Sequence, residues 1–383
     1  MEWKIPLADI DFGVEEQEAV LSVLNSRWLT MGGVTREFEQ AFEEYVGVKH
    51  ALAVANGTAA LHMACLAADL QPGDEVIVPA LTFVATANAV RYTGATPVFA
   101  DIVSLDDLDL SPDQVELLIT PRTKAVIVMH YGGNPCDMPA FKRIAEKNHL
   151  IIIEDDAHAV GSSFEGRAMG TWGDIGCYSF FSNKNMTTGE GGMVVTNDDA
   201  EFERLSRLRS HGMTTLTWDR HRGHAWSYDV VDLGYNYRID EIRAAIGLAQ
   251  MRKLPGFNMR RRFLVSLYTE ALRKNSPGLI IPFSNPRGIS AAHLMPVILP
   301  AGVSRHDFME GMKSRGIQTS IHYPPIHTFS AYRDFIPRLD GILHWTEEAG
   351  SREVTLPLYP GMSETDVNLV VESVAESLNL QIS

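Results

Sequence analysis

The chain has 383 residues, 45% of them hydrophobic and 21% charged, enough for two domains with sizeable cores. A formal net charge of -15 argues against broad, sequence-independent nucleic-acid binding, which needs a basic face, but leaves room for one small anion in a local pocket. Cys65, Cys136 and Cys177 are too scattered for a disulfide framework or a CxxC metal site, and "MEWKIPLADIDFGVEEQEAV" lacks an apolar signal core, so reduced thiols in a cytoplasmic protein are expected.

Helical spacing opens the chain. Residues 14–26 put Ala19, Val20, Val23 and Leu24 on one side, and Phe38, Ala41, Phe42, Tyr45 and Val46 follow the i, i+3, i+4, i+7 pattern until Gly47 stops it. The run "ALAVANGTAALHMACLAA" (51–68) carries no formal charge over about the length of a membrane span. Its Asn56-Gly57-Thr58 turn signal and His62 instead predict a strand, a turn and a buried helix. Short apolar runs then alternate with helical stretches: "ALAVA" (51–55), "EVIVP" (75–79), "PVFAD" (97–101), "AVIVM" (125–129), "LIIIED" (150–155), "CYSFF" (177–181) and "GMVVT" (192–196). Strands apolar on both faces, with helices between, predict an α/β fold with a mostly parallel seven-stranded sheet sandwiched by helices. Ligands in such sheets gather at the carboxyl ends of the strands. A long helix to about residue 274, a strand-like "LMPVILP" (294–300), a helix-like stretch at 304–316 and a final helix after Thr365 complete the chain. The division expected is a large domain, 1–255, and a smaller C-terminal α+β domain, 256–383, with N-terminal residues free to pack on the latter.

Three features at the strand ends carry chemistry. "LIIIEDDAHAVGS" ends on Glu154, Asp155 and Asp156, a set that could cap a helix, hold a metal or face a cationic cofactor; without a further ligand cluster nearby, no metal is expected. "NGTAAL" (56–61) is either an ordinary N-cap or a helix start whose N–H groups accept a phosphate, and it is not a P-loop. Lys184 follows a buried strand and precedes a Gly-rich turn in "CYSFFSNKNMTTGEGGMVVT". A desolvated ammonium loses proton affinity and becomes a nucleophilic amine near neutral pH. An amine, a phosphate turn and a strand-end carboxylate together are what pyridoxal phosphate requires.

Several segments, in order, strengthen this: "ANGTAALHMA", "PGDEVIVPALTFVATANAV", "GATPVFAD", "IIIEDDAHAVGSSFEGR", "GDIGCYSFFSNKNMTTGEGGMVVTND", "LRSHGM", "GYNYRIDEIRAAIGLAQM", "HYPPIH" and "LPLYPGMSETDV". Over essentially the whole chain they resemble the DegT/DnrJ/EryC1/StrS sugar aminotransferases, within the fold-type I pyridoxal-phosphate enzymes. The resemblance implies that Lys184 holds pyridoxal 5′-phosphate as an aldimine and moves protons, and that Asp155 pairs with the protonated pyridine nitrogen. It further implies His158 near the phenolic oxygen, a phosphate cup of Gly57, Thr58 and Ser179, and Phe83 over the ring. Asn236 would reach the phosphate of a neighbouring subunit, in a homodimer with shared sites. Asp156 departs from the family, which has a small residue there, and alternation along an extended segment predicts that it points away from Asp155. Lys184 also disfavours the deoxygenating relatives that carry His in its place.

By the same resemblance the reaction is transfer of an amino group from glutamate or glutamine to a keto-sugar nucleotide, in a ping-pong cycle. Alternatives are a keto-cyclitol or aminoglycoside precursor as acceptor, and a cofactor-binding regulator without turnover. "RSHGMTTLTWDRHRGH" (209–224) concentrates Arg209, His211, Arg220, His221, Arg222 and His224, either to meet a diphosphate across the dimer interface or as a solvated basic loop. His322, Tyr323 and His327 of "HYPPIH" are candidates to close over the sugar, and Arg238 either meets the glutamate carboxylate or braces its turn. Replacing Arg220 and Arg222 by alanine should raise KM for the keto-sugar nucleotide; an unchanged KM rejects that role.

Overall fold

In the computed structural model, which describes residues 3–215, 227–335 and 341–382, the seven apolar runs are the strands of one sheet. They are β1 (His50–Val54), β2 (Glu75–Pro79), β3 (Thr96–Ala100), β4 (Thr123–Met129) and β5 (Ile151–Asp155). A short hairpin follows, β6 (Ser163–Phe164) and β7 (Arg167–Ala168), and then β8 (Ile175–Ser179) and β9 (Gly192–Thr196). The sheet order is β1-β9-β8-β5-β4-β2-β3, parallel throughout except that β9 runs against both its neighbours. The sixth run leaves the sheet earlier than expected. β8 ends at Ser179, and Phe180 begins a turn in which its carbonyl accepts the Thr188 N–H at 3.0 Å.

Alternation along the strands fills both faces of the sheet. Leu52 and Val54 of β1 join one apolar cluster, with Cys177 and Val194; Ala51 and Ala53 join another, with Tyr178, Met193 and Val195. Residues of α3 (Gly57–Ala67), α4 (Ala85–Tyr92), α5 (Pro112–Leu118), α6 (Met138–Asn148) and α7 (Asp199–Arg209) join the first cluster. In the second, Phe42 of α2 (Gly33–Val46) packs edge-on against Tyr178 and Phe180 and Phe38 tilts against Phe180, while α1 (Val14–Ser26) lies along α8 (Glu241–Asn275). α2 stops where Gly47 adopts φ +74°, a conformation open to glycine at little cost. Among the described residues no helix is long and apolar enough to cross a membrane.

A second core lies around the two-stranded sheet of β10 (Met295–Ile298) and β11 (Glu353–Leu356). It takes Phe308 and Met312 from α9 (Arg305–Ser314) and Val367, Val370 and Val374 from α11 (Glu364–Ile382); α10 (His344–Arg352) leads into β11. Ile5 is buried in this core and pairs with Ile317, so the N-terminal residues belong to it spatially. α8 serves both cores, through Ala244 and Leu254 on one side and Leu264, Tyr268 and Leu272 on the other. The division placed after residue 255 therefore falls inside a 35-residue helix that continues through Pro255.

Glu241, the first residue of α8, fastens the start of α2. Its buried carboxylate accepts the N–H groups of Gly32, Val34 and Thr35, each at 2.8 Å, and the Thr35 hydroxyl at 2.6 Å. These are helix-start donors with no partner inside α2. Glu241→Ala strands them in a dry site and should lower the unfolding free energy by roughly 3 kcal/mol. Urea denaturation checks this, and a loss below about 1 kcal/mol contradicts it.

Candidate active site

Four parallel strands release their chains at the same edge of the sheet. β1 runs into Asn56, whose side chain caps α3 by accepting the Ala59 N–H at 2.8 Å. β2 leads to Phe83, β5 ends on Asp155, and β8 leads through Ser179 to Lys184. These residues line one cavity of about 420 Å³, together with Gly57, Thr58, His158, His322 and Tyr323. A larger hollow of about 690 Å³ between α8 and residues 281–296 lacks any comparable convergence of chemistry-bearing groups.

The electrostatics follow from exclusion of water. Burial brings the Lys184 ammonium down from 10.5 to about 8, with Asp155 pulling the other way. The Asp155 carboxyl is raised above its usual range by burial, against the Thr86 hydroxyl (2.7 Å), the Ala157 N–H (3.2 Å) and the charge of Lys184. His158 accepts the Gly132 N–H at Nδ1 (3.3 Å) and meets the Tyr323 hydroxyl at Nε2 (2.9 Å). Burial and the Lys184 charge hold it well below its ordinary pKa, so the ring is neutral and its proton sits on Nε2. Phe83, 55% exposed at the cavity wall, tilts against Tyr323 with ring centres 5.8 Å apart.

Asp155 and Asp156 face opposite ways. Asp156 lies with Glu154 and His130 behind the strand, their ligand atoms within 4.8 Å of one another. His130 Nδ1 accepts the Cys136 N–H at 3.1 Å, so its proton is on Nε2 and goes to Glu154 at 3.1 Å. An imidazole in that state donates rather than coordinates a metal. Burial and the two neighbouring carboxylates push Asp156 well above the usual carboxyl range.

Not every candidate reaches the cavity. His327 is outside it, 3.3 Å from Glu347. Arg238 pairs with Val54 through its backbone and approaches Ser210 Oγ at 3.5 Å. Asn236 is exposed and outside the cavity of its own chain, bridged to Ser210. Arg209 is the last residue of α7 and not a loop cation: it is buried and paired with Glu39, with the Ala53 carbonyl at 2.9 Å. His211 is exposed, while Arg220, His221, Arg222 and His224 lie outside the described residues. Thr86 went unnoticed in the sequence although it sits in the first turn of the helix after Phe83, one turn from the cavity wall. Glu353 and Thr355, behind His322, left no sequence signal.

The cavity suits pyridoxal phosphate. An amine of lowered proton affinity and a buried carboxylate share it, and the helix start beside them is pressed close: a Cβ on Gly57 would lie 2.8 Å from Ser179 Cβ. The comparisons agree with that chemistry. Residues 11–375 match the DegT/DnrJ/EryC1/StrS aminotransferase family. The chain belongs to this family, and it is an aminotransferase. The spore coat polysaccharide biosynthesis protein SpsC of Bacillus subtilis is 39% identical over 95% of this aminotransferase and 94% of its own length. DesI, solved in the presence of its TDP-sugar product, superposes with a TM-score of 0.88 at 31% identity, covering 100% of this chain and 94% of DesI. Spr1654 of Streptococcus pneumoniae in its PLP-form gives a TM-score of 0.90 at 26% identity, over 99% and 100% of the two chains.

Lys184 should react with acetic anhydride in the cofactor-free aminotransferase at a rate that climbs with pH around a midpoint near 8, where the amine loses its proton. Asp155→Asn removes the charge that favours the ammonium, so the midpoint should move lower. Mass-spectrometric labelling at position 184 measures both, and a midpoint above 10 refutes the desolvated amine.

Proposed function

We propose that the protein transfers an amino group from L-glutamate or glutamine to a keto-sugar nucleotide, in a ping-pong cycle that uses pyridoxal 5′-phosphate held covalently by Lys184. The observation that carries this reading is the single cavity in which the Lys184 amine, lowered to about 8, shares a wall with Asp155, Gly57, Thr58 and Ser179. When bound, pyridoxal phosphate supplies an electrophilic carbonyl and an electron sink for a carbanion.

The chain's own groups do the rest. Lys184 Nζ, neutral in part near pH 8, acts as nucleophile and then carries a proton away from the substrate carbon and back. Asp155, held by Thr86 and the Ala157 N–H, would pair with the ring nitrogen and keep it protonated. The neutral His158 positions Tyr323 for an oxygen in the cavity, and Phe83, on the cavity wall, would shield the cofactor ring. Gly57, Thr58 and Ser179 receive the phosphate at the start of α3. His322 and Tyr323, from the second unit, border the space left for the acceptor.

A homodimer with shared sites fits the exposed apolar stretch that precedes Asn236, where Val230 and Val231 are 56% and Leu233 80% exposed. A second copy covering that stretch would bring its Asn236 to the neighbouring phosphate. The TDP-sugar product of DesI and the polysaccharide pathway of SpsC support a nucleotide-linked sugar as acceptor over a keto-cyclitol.

L-glutamate added to the pyridoxal-phosphate-loaded enzyme should bleach its long-wavelength absorbance as the pyridoxamine form accumulates, and a TDP-linked keto-sugar should restore it. Lys184→Ala should slow the glutamate step by roughly a thousandfold or more. Borohydride reduction with peptide mapping should place the label at position 184. An unaltered spectrum with glutamate would point to a regulator, and restoration by keto-cyclitols alone would change the acceptor class.

A further inference from the structure

Behind the cavity wall three groups lie in line. Thr355 Oγ1 is 2.5 Å from Glu353 Oε1 and 2.8 Å from His322 Nδ1. Glu353 and Thr355 alternate along β11, which puts them on one face, and both are buried, at 0% and 1% exposure. The second Glu353 oxygen accepts the His322 backbone N–H at 2.8 Å, while the Tyr131 hydroxyl donates to the His322 carbonyl. The imidazole is thus anchored through its own backbone on both sides. Its Nε2 is engaged by no described residue, and His322 forms part of the wall of the reacting cavity.

A threonine hydroxyl has one hydrogen, so Thr355 donates in one direction at a time. When Glu353 is ionised, Thr355 donates to it and accepts from Nδ1–H, and Nε2, across the ring from Thr355, is left a bare acceptor. When Glu353 carries a proton, it donates to Thr355, Thr355 donates to Nδ1, and Nε2–H becomes a donor. We propose that Glu353 and Thr355 are positioning residues for acceptor recognition, setting whether His322 offers the keto substrate a hydrogen-bond donor or an acceptor. This rests on the aminotransferase reading given above. In the donor state Nε2–H complements an acceptor oxygen, such as a ketone, a ring oxygen or a diphosphate oxygen; in the acceptor state it complements a hydroxyl.

The surroundings make both states accessible. No described cation forms an ion pair with Glu353; burial raises its carboxyl to about 8, with Arg305, Thr355 and the His322 N–H pulling it down. His322 is brought to about 4 by burial and by the Lys184 charge, so its ring remains neutral while Glu353 titrates. Tyr131 and Tyr323 also face this carboxyl, and both are raised, so neither ionises near neutral pH. The sign is therefore set: donor below about 8, acceptor above it.

Imidazole ¹⁵N spectra of the pyridoxal-phosphate-loaded enzyme, with His322 assigned by His322→Asn, test the relay directly. Between pH 6 and 9.5 the His322 proton should pass from Nε2 to Nδ1. Glu353→Gln should hold it on Nε2 throughout, because the amide oxygen takes the His322 N–H and its NH₂ donates to Thr355. Thr355→Val should abolish the change and Thr355→Ser retain it. A wild-type tautomer constant over that range, or a change that survives Thr355→Val, overturns the relay. In turnover with glutamate and a TDP-linked 4-keto-6-deoxyhexose, Lys184 contributes to every pH profile around its midpoint near 8, so the readout is kcat/KM for the sugar relative to Glu353→Gln. That ratio should change roughly tenfold across the same pH range for wild type and for Thr355→Ser, and a constant ratio overturns the recognition role. Failure of glutamate to convert the wild-type cofactor would instead count against the aminotransferase reading, with the spectra still deciding the relay.

Discussion

Exclusion of water from the carboxyl edge of a parallel sheet is the constraint on which this site depends. In water an amine and a carboxylate are both fully charged at neutral pH and have little need of each other. Inside the cavity the Lys184 amine is brought close to the pH at which it can be either nucleophile or acid, and the Asp155 carboxyl is costly unless it is hydrogen-bonded or faces a cation. Thr86 and the Ala157 N–H meet part of that cost, and a protonated pyridine would meet the remainder. The same dryness keeps His158 and His322 neutral, so the imidazoles around the amine act through hydrogen bonds and not through charge.

The sheet achieves this by using alternation twice. Along β1, β8 and β9, odd and even residues feed separate apolar clusters, so helices must cover both faces and the strand ends alone are left for polar chemistry. At the end of β5 the same alternation sorts three consecutive acids. Asp155 turns to the cavity, while Glu154 and Asp156 turn to His130, and only the first is in a position to act on a ligand. The extra carboxyl at Asp156 lies on the His130 side, where burial and the neighbouring carboxylates raise its proton affinity.

Much of the site was legible because its residues sit at places defined by local pattern. Gly57 and Thr58 follow a capping residue, Asp155 ends an apolar run, and Lys184 lies between a buried strand and a glycine-rich turn, so period and punctuation locate them. The substrate side was less legible. Arg209 looked like a loop cation but ends a helix and is paired with Glu39, and His327 lies beside Glu347 although it shares a motif with His322 and Tyr323. A residue type near a motif does not report which way its side chain is drawn by distant partners.

The order of runs and punctuators by itself determined the α/β class, the positions of the strands and the lysine–carboxylate pair, because backbone periodicity and burial of apolar runs are local demands. What only the tertiary structure decided is who stands behind whom. Thr86 reaches Asp155 across 69 residues, Tyr323 reaches His158 across 165, and Glu353 reaches the His322 N–H across 31. Such contacts arise where separate chain segments are packed together in a dry interior, and no spacing within any one segment encodes them.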